Sequence, residues 1–590
     1  MIHYKKNDNK SLFESFKNPD FTNLYNIQNY IPIYNKFFNL NETNFNNINL
    51  NHKFNILEII KKENYQSFKC KVKHDEHTQH ENLFFKFSPL LDPVKYLTGK
   101  YKNDNTLVLP NIENNSCNTK LLDTNNCAYV DGFFSYLTSI LFNNHKFING
   151  TNFFGSFLGV KKEFKYNIYD DLEYLYDSTF FNENKETLFN VDNLFDSDLL
   201  EREISLKNKK KLKIDNEKID LNIEDFDNTK FADIFTDNDK KNSNNIIDLS
   251  NNLVFSDLKK RNGTNHTSST CSSRTSNTSD ENSDEEHSED DENSDEEHSD
   301  EEDSEEDSEE ESAEDSDYEE DSDYSDCSNM SDESDDNLEC TIFNFPVQVI
   351  CLEKLENTLD SLLEDESIEI SNKEWKSILL QIIMILLTYQ KCFKFTHNDL
   401  HTNNIMYNKT DRKFICYKYN GKIYKVPTYG KIFKLIDFGR SIYKFKGVQI
   451  CSDSFHPKGD AATQYNFGPY YNEKKKIIEP NFSFDLCRLA CSLYDFFIDE
   501  EDDPEDFDAI TKLIHSWILD DKEKNILYKK NGDERYPDFK LYKMITRLVH
   551  NHTPEKQLEN PLFQKFITSK RKLNKKAKII DIDSFEDLSV

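Results

Sequence analysis

His397-Asn398-Asp399-Leu400-His401-Thr402-Asn403-Asn404-Ile405 and, further along, Leu435-Ile436-Asp437-Phe438-Gly439 are the stretches on which the reading of this 590-residue chain turns. Each sets a carboxylate among apolar neighbours, a pattern that puts charge at the mouth of buried strands. The first has the form H-x-D-x-x-x-x-N and the second is D-F-G. Either alone is weak, because three fixed positions or a tripeptide arise by chance. Both together, in this order and each beside strand-like residues, are specific.

Composition narrows what can surround them. The formal net charge is −36, but residues 280–336 alone hold 34 acidic residues and no Lys or Arg. The remainder has 75 acidic against 73 basic residues, a net of −2. A broad basic face for nucleic acid is therefore not expected, since nothing supplies the phosphate-neutralising charge. The twelve cysteines are scattered with no C-x-x-C pair. Cys487 and Cys491 lie one helical turn apart, but two ligands do not close a zinc site. Reduced core thiols and a cytosolic-type compartment are the expectation. The start, Met1-Ile2-His3-Tyr4-Lys5-Lys6, has no apolar core of a signal peptide. The apolar run Ile378 to Leu387 is about half a bilayer span and reads as a buried helix, so no membrane partner is expected.

Residues 1–50 are an Asn- and aromatic-rich extension of weak periodicity. Phe54–Ile60, Ser67–Lys73 and Asn82–Ser88 then predict three consecutive antiparallel strands. Lys86 is centred in the third among apolar residues, where an isolated lysine would ordinarily snorkel at an edge. Lys61 to Gln66, between the first two strands, contains no glycine, so backbone amides there approach an anion closely only if Asn64 adopts a positive φ. Apolar positions 130, 133, 134, 137, 140 and 141 predict a helix over 127–142, with Asp131 either solvated at its start or turned inward. Phe153–Val160 reads as a strand pair. Residues 171–344 form an insertion in which apolar content fades, expected to be largely disordered, and its acidic Ser-rich tract 280–336 cannot repay ordering entropy. That tract is expected to be a spacer, decorated by phosphorylation at serines followed by acids. Order returns with a buried strand at Phe345–Leu355, a short amphipathic helix at Glu356–Leu363 and a long buried helix at Glu374–Tyr389. Lys413 to Pro427 alternates around Asn420-Gly421, the signal of a type I′ hairpin, and reads as a surface ribbon between the two decisive loops.

H-x-D-x-x-x-x-N followed by D-F-G resembles the protein kinase family, and the resemblance covers most of 51–170 and 345–566. It implies an α+β, bilobal fold with an antiparallel-sheet small lobe, a mainly helical large lobe and the acidic tract spliced in ahead of the hinge strand. It implies ATP and Mg as cofactors, with Asp399 orienting or accepting the proton of the attacking hydroxyl and His397 bracing the loop. Asn404 and Asp437 would hold the metal, and Lys86 the α- and β-phosphates. Asp131 stands where a Glu usually pairs with that lysine. Backbone groups at Glu353 and Leu355 would hold adenine. Phe482–Leu493 resembles the central large-lobe helix, whose Asp485 ties down the catalytic loop, and Glu559–Phe566 the closing helix.

Departures bear on regulation and acceptor. Asn398 replaces the Arg that meets a phosphorylated activation loop, and no A-P-E precedes Asp485. His401 replaces the Lys that touches the γ-phosphate. Such a His is similar to haspin-like kinases, and H-x-D-L-H also occurs in aminoglycoside and choline kinases. The acidic insertion and loop sequences resemble serine/threonine kinases of giant amoebal viruses. The implied activity is a serine/threonine-protein kinase acting on a protein substrate. A small-molecule kinase or a pseudokinase scaffold are the alternatives. The expected location is the cytoplasm, in a host cell or virion. The basic cluster Lys570-Arg571-Lys572 and Lys575-Lys576-Lys578 reads as a solvated end, a nuclear-import signal or a contact with the acidic insertion.

Overall fold

The computed structural model describes residues 4–5, 9–51, 54–74, 76–102, 104–113, 116–191, 338–365, 367–498, 503–574 and 577–590. The expected disorder and phosphorylation of 280–336 fall outside them. Strands β1 (Leu24–Gln28), β2 (Phe54–Lys62), β3 (Ser67–His74), β4 (His77–Pro89), β5 (Phe153–Asn167) and β6 (Glu339–Glu353) form one antiparallel sheet in the order β1-β5-β6-β4-β3-β2. The described start of the insertion is ordered, not disordered: Leu172–Tyr176 and Thr179–Asn184 are helical, and Phe189–Val191 adds a short strand beside β6. The sheet curls until Phe54 at one edge lies 5.1 Å, ring to ring, from Phe154 on β5.

Alternation along β4 decides what each face does, because successive side chains point to opposite sides. Phe85 stacks on Phe68 (4.7 Å) and meets Phe16 edge-on (5.8 Å). Phe16 belongs to α1 (Lys10–Lys17), so the opening residues are built into the sheet's outer layer rather than left as an extension. Lys86, one residue on, faces the other way, towards α2 (Cys127–His145). Asn126 starts that helix by accepting the Ala128 N–H at 3.0 Å, and its amide donates to the Leu90 carbonyl at 2.9 Å. Gly132 lets α2 lie directly on the sheet: a Cβ there would stand 2.1 Å from Gln348 Nε2, which donates to Ser156 at 2.7 Å.

The expected strand pair at 153–160 is a single 15-residue strand. Gly155, at φ +145°, absorbs a register shift against β6 instead of a turn. Its partner β6 is equally long, and the two continue side by side to Asn167 and Glu339, where chain entering and leaving the insertion is already paired.

The helical part is built on α4 (Asn372–Phe393), which is long and apolar enough to cross a membrane but has 89% of its apolar window buried in the fold. It is preceded by α3 (Leu359–Glu364) and followed by α5 (Phe484–Phe497), α6 (Ala509–Trp517) and α7 (Phe539–Leu548). The closing helix expected at 559–566 is only the turn Pro561–Gln564, because Asn560 caps it and Pro561 starts it one residue later. Between α4 and α5 run β7 (Ile405–Lys409), β8 (Phe414–Tyr419), β9 (Lys422–Pro427), β10 (Lys431–Leu435), β11 (Ile442–Phe445) and β12 (Val448–Cys451).

The β8–β9 hairpin turns at Asn420 (φ +47°) and Gly421 (φ +71°), as its dipeptide requires. It is not a surface ribbon, since Tyr417, Tyr424 and Val426 are buried. The chain's own end covers it. Strand β13 (Ile579–Asp581) lies parallel to β8, and Ile567–Thr568 pairs with β9. Beyond β13, Phe585 packs on His145 at the end of α2 (4.7 Å), and the Leu588 N–H donates to the Cys392 carbonyl at 2.9 Å. The tail from Ile579 onward is therefore docked, whereas Lys570, Arg571, Lys572 and Lys578 of the basic cluster before it are exposed.

Candidate active site

Pairing of β7 with β10 sets Ile405 opposite Leu435, which brings together the loop before one strand and the loop after the other. Two bonds fasten them: the Ile436 N–H donates to the Asn404 carbonyl at 3.1 Å, and His397 Nε2 donates to the Ile436 carbonyl at 2.9 Å. From below, Asp485 at the start of α5 accepts the backbone N–H groups of His397 (2.9 and 3.1 Å) and Asn398 (2.9 Å). Asn398 sits at φ +65°, a conformation that Asn tolerates. Its amide donates to the Arg440 carbonyl at 3.0 Å and accepts the Tyr465 hydroxyl at 2.6 Å. The two sequence runs thus form one braced unit.

Lys86 reaches this unit from the sheet. Its Nζ stands 2.8 Å from Asp131 Oδ2 and 2.9 Å from Asp437 Oδ1. Asp131 is 3% exposed, so the solvated alternative does not hold. Its other oxygen accepts the Phe438 N–H at 3.0 Å, so one carboxylate links the strand lysine, α2 and the loop after β10. The close seat of α2 at Gly132 compensates for a side chain one methylene shorter than Glu. Burial pushes the Asp131 carboxyl up, with Asp437 adding to the rise and Lys86 opposing it. At Asp437 burial acts in the same direction, but the Lys86 ammonium outweighs it and holds the carboxyl below the usual range. Asp437 lies at φ +61°, and Phe438 inserts its ring beside Phe134 (4.8 Å) and His397 (5.7 Å).

Asn404 has both amide protons engaged, to the Asp399 carbonyl at 2.9 Å and to His401 Nε2 at 3.1 Å. Its Oδ1 is the atom available to a ligand. The bond requires an unprotonated Nε2, and burial holds the His401 pKa down to about 4 despite the pull of Asp399. Asn404 Oδ1 and the Asp437 carboxylate make a pair of hard oxygen donors, which suits Mg, an ion that takes few protein ligands and completes its shell with water and phosphate.

Asp399 accepts the Tyr542 hydroxyl at 2.9 Å, and that oxygen in turn accepts Arg488 Nε at 3.0 Å. Arg488 lies one turn after Asp485 on α5, and Arg440, which is paired with Asp460, follows D-F-G directly. Both cations lie beside the Tyr542 ring, at 5.2 and 5.7 Å. Burial opposes ionisation of Asp399, yet the Arg440 and Arg488 guanidiniums and the Tyr542 hydroxyl hold it well below the usual carboxylate range.

The remaining candidates are placed as follows. Leu355 is largely buried and its backbone makes no hydrogen bond among the described residues. The Glu353 carboxylate is engaged by Lys434 (2.5 Å), the Asn152 N–H (2.7 Å) and Asn408 (2.9 Å). In the Lys61–Gln66 turn, Asn64 does not take the positive φ anticipated for it. Its side chain instead accepts the N–H groups of Gln66 (3.0 Å) and Ser67 (2.7 Å). The Glu63 and Asn64 N–H groups both donate to the Ser67 carbonyl, at 2.9 and 3.3 Å, so these amides are already engaged. Glu63 also pairs with Lys354 at 3.2 Å, joining the turn to the segment after β6.

Sequence reasoning missed Tyr542, Arg440, Arg488 and Lys434. Arg440 and Arg488 carried a signal in their spacing from Asp437 and Asp485, whereas nothing local distinguishes Tyr542.

No family model matches the chain. Similarity to curated proteins is local. The mouse serine/threonine-protein kinase haspin is 36% identical over 78 residues, 13% of this chain and 10% of its own. A probable serine/threonine-protein kinase of Dictyostelium discoideum is 32% identical over 116 residues, 19% of this chain and 9% of its own. An uncharacterized protein of Invertebrate iridescent virus 6 is 28% identical over 196 residues, 32% of this chain and 29% of its own. The chain thus spans about a tenth of the length of the two kinases and under a third of the viral protein. At that coarse level it is kinase-like, a mixed α+β chain with local sequence similarity to serine/threonine kinases.

Proposed function

We propose that this chain transfers the γ-phosphate of ATP to serine or threonine hydroxyls of a protein. In this reading the curled sheet (51–170, completed by β6) is the small lobe of a kinase and 345–566 contributes the large one. The observation that carries it is Lys86 between Asp131 and Asp437, with the other oxygen of Asp131 on the Phe438 N–H. The two carboxylates fix the ammonium in place, and with Asp437 turned to the metal Lys86 would keep Asp131 as its counter-ion and meet phosphate oxygens at a fixed point.

Asn404 and Asp437 would hold Mg, whose charge offsets the anion that develops on the transferred phosphoryl group. His401 keeps the Asn404 amide in the orientation that offers its oxygen. Asp399, with one oxygen held by Tyr542, presents the other to the acceptor hydroxyl. Because its neighbours keep it a weak base, it acts by orienting the hydroxyl, and takes the proton as the new P–O bond forms. The Lys61–Gln66 turn has little free backbone donor capacity to offer, so binding of phosphate rests on Lys86 and the metal. Adenine would bond to the backbone at Glu353 and Leu355, where the Leu355 groups are available.

Incubation of the full chain with labelled ATP and a panel of proteins, aminoglycosides and choline tests the acceptor class. Label on protein, including the chain itself, is expected. Label only on a small molecule would overturn the protein-kinase reading.

A further inference from the structure

Helix α7 brings Tyr542 to Asp399, and the same helix carries Lys540, Lys543 and Arg547 with no acidic residue between Phe539 and Leu548. Their spacing of three and four sets them along one side of the helix. Both ends of the segment 463–481 are tied to that helix. Arg547 donates to the Thr463 carbonyl (2.9 Å), Gln464 to the Thr546 hydroxyl (3.3 Å) and Asn481 to the Thr546 carbonyl (3.2 Å). In the middle of this segment Lys474, Lys475 and Lys476 are consecutive and exposed.

A run of charges is ordinarily just a solvated surface, but this one is built. Asn466, 6% exposed, organises it from within. Its amide donates to the carbonyls of Asn472 (3.1 Å), Lys475 (3.0 Å) and Lys476 (2.8 Å), and its oxygen accepts the Asn472 N–H at 2.8 Å. Its backbone pairs with Ile478, closing the loop. The residue before it, Tyr465, is the one that bonds Asn398 beside Asp399. Two cationic elements are thus anchored at the catalytic loop, one to Asp399 itself and one to the preceding residue Asn398. Over 466–481 and 539–548 they carry six Lys and Arg against two acids, Glu473 and Glu479, in a chain that is otherwise balanced outside 280–336.

We propose that this face selects an acidic acceptor peptide, a serine or threonine flanked by Asp and Glu. The inference rests on the protein-kinase reading above and adds the substrate class. Complementary charge acts chiefly by steering and by excluding basic competitors, so the preference should appear in kcat/KM and decline as salt screens it.

The test uses the full chain with Mg and ATP. The first peptide copies residues 291–304 (Asp-Glu-Asn-Ser-Asp-Glu-Glu-His-Ser-Asp-Glu-Glu-Asp-Ser). The second replaces its acids by Asn and Gln, and the third by Lys. The acidic peptide is expected to exceed the neutral one by about tenfold or more in kcat/KM at low salt, and by less at high salt. Lys474→Glu, Lys475→Glu and Lys476→Glu together should abolish the preference while leaving turnover of the neutral peptide unchanged. Lys540→Glu should reduce it by a second, independent route. Equal turnover of all three peptides, or a preference untouched by both variants, would overturn the substrate class and leave the kinase reading standing. No label on any peptide or on the chain itself would overturn both.

Discussion

Removing the Asp131 carboxylate is the sharpest structural perturbation of the site. Asp131→Ala leaves Lys86 buried with Asp437 as a remaining partner and takes the acceptor from the Phe438 N–H. Breaking a buried pair by deleting one partner costs roughly 3–5 kcal/mol, and the surviving Asp437 contact puts the expected loss near the lower end, about 3 kcal/mol. Asp131→Asn keeps an oxygen for Phe438 but loses the charge, so about half that loss is expected. In the rate, loss of one charge-assisted bond of roughly 1.5–3 kcal/mol corresponds to about 10- to 150-fold slower phosphate transfer. Asp131→Glu adds a methylene where Gly132 already lies against Gln348, so α2 must move and about 1–3 kcal/mol of stability should be lost. Thermal unfolding and initial rates of transfer from labelled ATP measure both effects. Wild-type stability and rate in Asp131→Ala would refute the reasoning, and an Asp131→Glu variant better than wild type would refute the packing argument.

Other positions give independent checks. His401, with its folded pKa near 4 below the ordinary 6.5, binds its proton more readily when unfolded. The stability it contributes is complete above about pH 6.5 and is lost as pH falls towards 4, by up to roughly 3 kcal/mol. His401→Gln should therefore lose less Tm than wild type between pH 7 and 5, and parallel curves would contradict the assignment. Tyr542→Phe frees one oxygen of Asp399 and leaves Arg488 Nε unsatisfied, so kcat should fall about tenfold with KM for ATP unchanged. An unaltered kcat would show Tyr542 to be packing alone. Phe585→Ala should cost about 3 kcal/mol if the chain's end is part of the core. Urea unfolding reads this directly, and an unchanged midpoint would mean the docking adds nothing.

Legibility in the sequence followed the range of the interactions involved. Strands β2, β3 and β4 and helices α2 and α4 were readable because period-two and period-3.6 patterns are local, and Asn420-Gly421 specified its own turn. The two decisive runs were readable because their residue types are dictated by chemistry at fixed spacing. What failed was long-range. Nothing near Tyr417 or Val426 says that Ile567–Thr568 and Ile579–Asp581 will cover the hairpin, and nothing near Phe16 says that it will meet Phe85. Asp131 could not be assigned from its helix alone, because its environment depends on how closely Gly132 lets α2 approach Gln348. Tyr542 reaches Asp399 across most of the helical part, a contact with no sequence neighbour to announce it.

The central claim is that Lys86, Asp399 and Asp437 act together on the phosphates and the acceptor. It is tested most directly by transfer of label from γ-labelled ATP to the chain itself, compared among wild type and Lys86→Ala, Asp399→Ala and Asp437→Ala, each checked for folding. Label on the wild type and a loss of about a hundredfold or more in every variant is the predicted result. Equal labelling of all four proteins would contradict the account.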